Sequence, residues 1–546
     1  MKKRRMFFTV VAICLLLSVI AGCGSTNNSS TTNADTNTDS SQSNSTGSGS
    51  GNADTTTAVT TPAKDTVVIT QNQEPTTYIT VDGQFPSSQN KDGIVLYQLY
   101  DTLLFLDNDG VPQYNLAKQY EISNDGLEYT FFLRDDVFFH NGDKMTSEDV
   151  AFTFNTALEL YPSLSRSLLI NLDRAEVVDD YTVKLILTEP FAAFINCPTA
   201  RLGFIVNKKY YEEVGGAEEY NKAPIGTGAY KFESRVSGES VTFIANEEYW
   251  GGAPAIKKVI IKPIANVSTQ FLSLENNELD LIVNADIGSC LQIMNPNIIW
   301  DNTPSSGRTF MMMIARDPSP CADLNLRKAI QSAINKDEII LGALEGYGET
   351  LPVETVLTYK DAPDISDVNV VPYDVDQAKQ YLADSNYKGE TLKLMVVSGG
   401  SEERSAQVIQ GQLLAIGINV EVMPVDATTR ATLARTGEGI DMYMDTSISS
   451  LNDISTLNTQ YRSSEVKTPN WSLEIGDELD RLMKASDTEM DSAKRKGYAA
   501  ELLDIITDEV LTIPLTSPVV PVAYNAELKG VQPHFANCYR IKDWTW

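Results

Sequence analysis

Histidine is almost missing from this 546-residue chain, which contains only His140 and His534. Cysteine is scarce too, six in all, with no C-x-x-C pair among them. Structural zinc needs four closely spaced N or S ligands, so this composition argues against a metal centre. G-x-S-x-G, H-E-x-x-H and P-loop patterns are absent, which removes the common signatures of serine hydrolases, zinc proteases and nucleotide hydrolases. Asp and Glu are plentiful, but abundance alone identifies no carboxylate pair. No catalytic residue and no cofactor are expected. Basic residues are outnumbered, 43 against 73 acidic, for a formal charge of −30. A surface this acidic repels nucleic acid and anionic lipid. Beyond residue 23 no long apolar run appears, so no later segment is expected to cross a membrane.

The one apolar run lies at the start. Lys2-Lys3-Arg4-Arg5 precedes Met6–Ile20, and Val19-Ile20-Ala21-Gly22-Cys23 closes it. A basic start, a short apolar stretch and small residues at its end make an export signal. The run is shorter than the roughly 20 apolar residues that a spanning helix takes. Ending on Cys23, the pattern resembles the lipobox of bacterial lipoproteins. That resemblance implies removal of residues 1–22 and lipidation of Cys23; an ordinary cleaved signal with an incidental cysteine is the alternative. Residues 23–65 follow as a Ser/Thr/Asn/Gly-rich stretch without an aromatic side chain. It cannot bury enough apolar surface to offset its ordering entropy, so a disordered tether is expected. Its flexible-coil span is roughly 35 Å.

From about Thr66 the chain is long for a single core, and two or three lobes are expected. Val67-Val68-Ile69 reads as a first strand, and Ile94–Phe105 as a helix leading into a strand. Asn124-Asp125-Gly126 signals a hairpin, followed by the alternation of Leu127, Tyr129, Phe131 and Leu133. Thr146 caps a helix expected over Ser147–Leu160, with Glu148 and Asp149 suiting its dipole. Tyr230–Val236 and Val241–Ala245 form another hairpin. Gly226-Thr227-Gly228 precedes a strand, not a helix, so it is no phosphate loop; its glycines suit close backbone approach or a sharp turn. Leu392–Val397, a helix from Ser401 through Leu414, and Ile418–Met423 make a βαβ unit with a right-handed crossover. A strand Ile440–Met444, helices Leu479–Ala485 and Ala493–Thr507, and strands Leu511–Leu515 and Val519–Tyr524 complete the series. The second half reads as an open α/β lobe, the hairpin-rich first half as a mixed one. Cys197, Cys290, Cys321 and Cys538 are expected as buried thiols, although one disulfide stays open in an exported chain.

Several phrases occur in a fixed order: Tyr100-Asp101-Thr102-Leu103-Leu104; Ser123 through Arg134; Val137-Phe138-Phe139-His140-Asn141-Gly142 with Thr146-Ser147-Glu148-Asp149-Val150; Pro224 through Tyr230; Asn246 through Gly252; and Leu326-Arg327-Lys328-Ala329-Ile330 with Ala333-Ile334-Asn335-Lys336. Together they resemble the bacterial extracellular solute-binding proteins of family 5, the oligopeptide/dipeptide/nickel-binding lipoproteins of ABC importers.

The resemblance implies an α/β, two-lobed, periplasmic-binding-protein-like clamp of type II, with an extra subdomain in the first lobe and two hinge crossovers. Lobe I would span 66–308 plus 516–546, its inserted subdomain about 111–224, and lobe II 309–515. The crossovers are expected near Thr309–Ala315 and Pro514–Pro521. The implied protein is a non-enzymatic monomer, held by lipid on the outer face of the cytoplasmic membrane; the Ser/Thr-rich tether and the acidic body point to a Gram-positive bacterium. It would deliver a small-molecule or peptide ligand to ABC permease subunits. His140 is then a turn residue and Trp250 a packing residue. Ligand contacts carried over are Glu74 and Thr76 after the first strand, Arg435 before the strand Ile440–Met444, and Asp445, Ser447 and Asp453 after it. Arg316 stands where the family commonly has Asn, and Tyr78, Phe85 and Tyr443 are candidate walls. The Trp that peptide-binding members carry after that strand is missing, and the expected Asp aligns nearest Ser450. A metal chelate or glycan fragment is therefore the alternative solute, and an exported sensor or hydrolase the alternative function.

Overall fold

The computed structural model describes residues 64–79, 90–107, 110–160, 171–199, 203–304, 307–449, 451–462, 470–534 and 539–546. The expectations for residues 1–63, Cys23 among them, and for Phe85, Ser450 and Cys538 lie outside these residues. The architecture below belongs to the compact unit Pro62–Trp546.

Lobe I begins with β1 (Thr66–Gln71) and α1 (Asn90–Leu99). A short hairpin of β2 (Leu104–Leu106) and β3 (Pro112–Tyr114) leads into a four-stranded sheet. That sheet holds β4 (Ala117–Ile122), β5 (Glu128–Leu133), β6 (Leu172–Asp179) and β7 (Thr182–Leu187) in the order β4-β5-β7-β6. Tyr129, Phe131 and Leu133 are buried as their alternation predicts, and Gly126 turns the hairpin at φ 70°. α2 (Ser147–Leu160) covers the sheet. Its first turn is closed by Asp149, whose carboxylate accepts from the Thr146 amide at 2.9 Å. β8 (Tyr230–Val236), β9 (Ser240–Ala245), β10 (Lys258–Pro263), β11 (Leu281–Val283) and β12 (Ile298–Pro304) return to the main body of the lobe.

Lobe II contains β13 (Gly307–Met313), α3 (Leu324–Ala333), α4 (Lys336–Ala343), β14 (Glu349–Thr350), β15 (Thr391–Val397), α5 (Ser401–Ala415), β16 (Asn419–Val425), α6 (Ala427–Thr436), β17 (Met442–Ile448), α7 (Leu473–Thr488), α8 (Ser492–Asp508) and β18 (Thr512–Ser517). β19 (Val519–Asn525) returns to lobe I. The two main sheets run β12-β19-β11-β1-β10-β9-β8 and β14-β18-β13-β17-β15-β16. β13 is buried along its whole length, with Met311 and Met313 facing one core and Phe310 and Met312 the other.

The chain passes between these sheets twice, between Pro304 and Gly307 and at Pro518. The first crossing precedes the expected Thr309–Ala315, because that apolar run is itself a central strand, paired on both sides by β17 and β18. β17 and α7 also run longer than the sequence suggests. Polar positions such as Asp445 and Ser447 lie within a strand whose other face is buried, a case that apolar periodicity reads poorly.

Both sheets aim the carboxyl ends of their parallel strands at the crossings. β1, β10 and β11 are parallel, and Val283 at the end of β11 pairs with Val522, just past Pro518. In lobe II, β15, β16 and β17 are parallel, and Ile448 at the end of β17 pairs with Gly307. β17 lies beside β15 and not β16, so the chain reverses direction across the sheet there. Open α/β sheets bind ligands in the crevice outside such a reversal.

Candidate functional site

The lobe II edge of that crevice carries charge. Arg430, in the first turn of α6, ion-pairs with Asp445 of β17. Asp426 caps that helix, its carboxylate accepting the Thr428 and Thr429 amides at 2.9 and 3.0 Å, and so fixes where Arg430 stands. Glu402 sits in the first turn of α5, where a carboxylate suits the helix dipole. It accepts the Val397 amide at 3.2 Å and the Thr446 hydroxyl at 3.3 Å. Burial pushes its carboxyl above the usual range, against the opposing pull of the Val397 amide and Arg430. The Thr446 hydroxyl also lies 3.0 Å from that of Thr309, across the β13–β17 pair. Tyr443 and Ser447 flank Asp445 on one face of β17, both half-buried. Burial raises the Tyr443 phenol, with Asp445 adding to the effect. The edge thus presents two carboxylates around one guanidinium, an arrangement suited to the charged ends of a small polar ligand.

Behind it, next to the first crossing, Arg308 is fully buried. Its guanidinium donates to the Glu354 carbonyl at 3.2 Å and to Gln460, with Nε 3.7 Å from the Glu354 carboxylate. Burial raises the Glu354 carboxyl and lowers the Lys336 ammonium to about 8.

On the lobe I edge, Glu74 accepts from Arg235 Nε at 2.7 Å and from the Gly238 amide at 3.1 Å, so the β8–β9 turn holds it. The Thr76 amide donates to Asp92 at 2.9 Å, and its carbonyl accepts from Asn221 at 3.2 Å. Both residues follow β1 at the crevice end.

Four candidates stand elsewhere. Tyr78 is 2% exposed in the lobe I core, its hydroxyl donating to the Pro75 carbonyl at 2.8 Å. It is a packing residue, not a wall. Asp453 is fully buried and held by both Nη atoms of Arg495. It also caps the turn at Ser455. Its oxygens are engaged inside lobe II. Arg435 is exposed in the last turn of α6, favourable there for the helix dipole, and lies before the amino end of β17. Arg316 follows β13 and donates to the Thr436 carbonyl at 2.6 Å. Both arginines lie beyond the end of the sheet opposite the crossings, a seven-residue strand of roughly 20 Å from Ile448. They line or adjoin a separate 340 Å³ cavity with Ser319, Lys393 and Asp441. Glu402, Arg430, Thr309 and Arg308 were not identifiable from motifs. The available signal was their place at helix starts and strand ends next to the reversal.

His140 and Trp250 are structural. The imidazole accepts the Gly226 amide and faces the Gly228 carbonyl at 3.0 Å, and the indole donates to Asp101 at 2.9 Å. Cys197, Cys290 and Cys321 are buried, the last two as free thiols. Among the described residues, no group of three or more His, Cys, Asp or Glu could hold a metal ion. No described helix is long and apolar enough to cross a membrane.

A profile of the family described as Bacterial extracellular solute-binding proteins, family 5 Middle, matches residues 111–468. The chain belongs to this family. Among curated relatives of this family 5 protein, di/tripeptide-binding protein 2 of Pseudomonas aeruginosa is 26% identical over 470 residues, covering 79% of this chain and 85% of the relative. The glutathione-binding protein GsiB of Pectobacterium atrosepticum is 28% identical over 390 residues, covering 69% and 72%. Among solved structures, the ABC transporter substrate binding protein CtaP of Listeria monocytogenes superposes with a TM-score of 0.79. It covers 88% of this chain and 99% of its own at 23% identity, a likeness of fold: the two-lobed clamp.

Proposed function

We propose that this family 5 protein is the receptor of an ABC importer, tethered by lipid at Cys23, and that it captures a short peptide or peptide-like solute between its lobes for a membrane permease. The opposition of two carboxyl-end strand edges across two chain crossings carries this reading, because a solute touching both edges favours the closed clamp. Glu74 and Thr76 contribute from lobe I; Glu402, Arg430, Asp445, Tyr443 and Ser447 contribute from lobe II. The lobes divide at the crossings Pro304–Gly307 and Pro518. The peptide relatives support a peptide. The glutathione relative and the lack of a Trp after β17 favour a second reading, in which the solute is peptide-like and its amino group is not placed as in an ordinary α-linked peptide.

Mass spectrometry of solute released from the purified protein tests the choice, followed by calorimetric titration with di- and tripeptides and with glutathione. Binding of none of these, and no closure, would remove the peptide reading. For the anchor, Cys23→Ser is expected to release the protein from the membrane fraction of cells. Retention of that variant in the membrane would refute lipidation.

A further inference from the structure

The inserted subdomain of lobe I meets lobe II along a seam that starts three residues past Ile448, the β17 residue paired with Gly307 at the first crossing, and extends to α7. Leu451 follows β17 in lobe II, yet its side chain is 6% exposed within the subdomain core, among Leu104, Phe194 and Ile205. Asn196 of the subdomain, fully buried, donates its side-chain amide to the Leu451 carbonyl at 2.7 Å. The next residue, Asn452, stands at φ 47°, a left-handed conformation that asparagine tolerates. Its side chain occupies the space above Gly110, where any Cβ would lie 1.7 Å from the Asn452 amide nitrogen. The Ala192 amide donates to the Asp487 carbonyl at 2.8 Å, and Glu189 pairs with Lys484 of α7 at 3.3 Å.

The loop bearing Leu451 is anchored firmly in its own lobe. The Lys360 amide donates to the Asn452 carbonyl at 2.9 Å, the Ile454 amide returns to Lys360, and Arg495 grips Asp453. Leu451 is thus a rigidly mounted apolar plug seated in the opposite lobe. We infer that Leu451, with the Asn196 bond and the Glu189–Lys484 pair, is a latch between the inserted subdomain and lobe II that holds the clamp shut independently of solute. This rests on the reading of the chain as a hinged receptor. Swinging the lobes apart must expose the plug and break these contacts together, so the latch sets how much of the ligand-free protein is closed. Loss of a buried leucine contact is expected to shift the open-to-closed ratio by a factor on the order of ten to a hundred.

Small-angle scattering of the ligand-free protein tests this without knowledge of the solute. Wild type is expected to scatter as a compact, closed clamp and Leu451→Asp as a wider one with a larger radius of gyration. Lys484→Glu, an exposed change that spares the core, is expected to move the profile the same way by less. Adding Glu189→Lys to it is expected to restore compactness. Wild type already open without ligand would overturn the latch. So would Leu451→Asp and Lys484→Glu profiles matching a closed wild type. If Leu451→Asp fails to fold, by its circular dichroism, the charge swap decides. A working latch in a protein that binds none of the solutes above would leave the latch standing and remove the peptide reading.

Discussion

Arg495 binds Asp453 through two hydrogen bonds, Nη2 to Oδ1 at 2.5 Å and Nη1 to Oδ2 at 2.8 Å, with both side chains fully buried. The same guanidinium reaches Asp361 at 2.7 Å and the Ser486 carbonyl at 2.9 Å. One cation therefore holds the loop at 453, the loop at 361 and the end of α7. Arg495→Ala leaves the Asp453 and Asp361 carboxylates in low dielectric without their shared guanidinium, and a loss of about 3–5 kcal/mol is expected. Arg495→Lys recovers little, because an ammonium cannot make the paired contact. Urea denaturation of the three proteins checks both.

Gly226 and Gly228 let one backbone run against another. A Cβ on Gly226 would lie 2.0 Å from the Leu99 carbonyl oxygen, and one on Gly228 2.4 Å from that of Gln98. The Gly228 amide donates to Leu99 at 2.9 Å, so the segment cannot withdraw without losing that bond. Gly226→Ala and Gly228→Ala are each expected to destabilise lobe I by at least about 1–3 kcal/mol. Gly411→Ala, which meets nothing within 4 Å, serves as the control in the same denaturation series.

These glycines were legible in the sequence because the strand that follows them excludes a phosphate loop. The hairpin at Asn124-Asp125-Gly126, helix α2 and the unit β15-α5-β16 were legible for the same kind of reason, since turn chemistry and apolar period are local. The charged crevice edge was not. Glu402, Arg430 and Asp445 meet only because β17 inserts beside β15, a choice of strand order that no local pattern encodes. Arg435 illustrates the converse. It stands near Asp445 in sequence, but the length of α6 and the direction of β17 carry it to the other end of the sheet. Tyr78 and Asp453 were misplaced because an aromatic or an acidic residue beside a strand end looks the same whether it faces a crevice or a core.

The contrast between the two ends of the lobe II sheet gives a direct test of where solute sits. Arg430→Ala removes the ion-pair partner of Asp445, and Glu402→Gln replaces the half-buried carboxyl beside it. Each is expected to weaken binding of the tightest ligand among di- and tripeptides and glutathione by about 10- to 100-fold, as loss of a desolvated charge contact does. Arg435→Ala and Arg316→Ala, at the far end, are expected to change it by less than about twofold. Isothermal titration of all four variants against wild type checks the prediction. Equal losses at both ends would move the site away from the crossings.

Acid should destabilise the fold through its two histidines and be partly opposed by one aspartate. Burial lowers His140 and His534 to about 4 from 6.5, so each is held neutral in the folded chain. The unfolded chain binds more protons in that interval, and the stability that neutral His140 contributes above pH 6.5 is lost as pH falls toward 4. Asp487 has the opposite sense. Burial raises it to about 6 from 3.8 despite Arg462 and Asn458 beside it, so the folded chain takes up its proton first. Its contribution is fully present below 3.8 and fades as pH rises through 6. Between pH 7 and pH 5, His140 is expected to cost the fold on the order of 1–2 kcal/mol. His140→Gln should therefore show a smaller drop in urea midpoint over that range than wild type. Asp487→Asn should show a larger one, because the compensating uptake is gone. Midpoints measured at both pH values on the three proteins check the sign of each; a flat response in Asp487→Asn would refute the assignment of opposing roles.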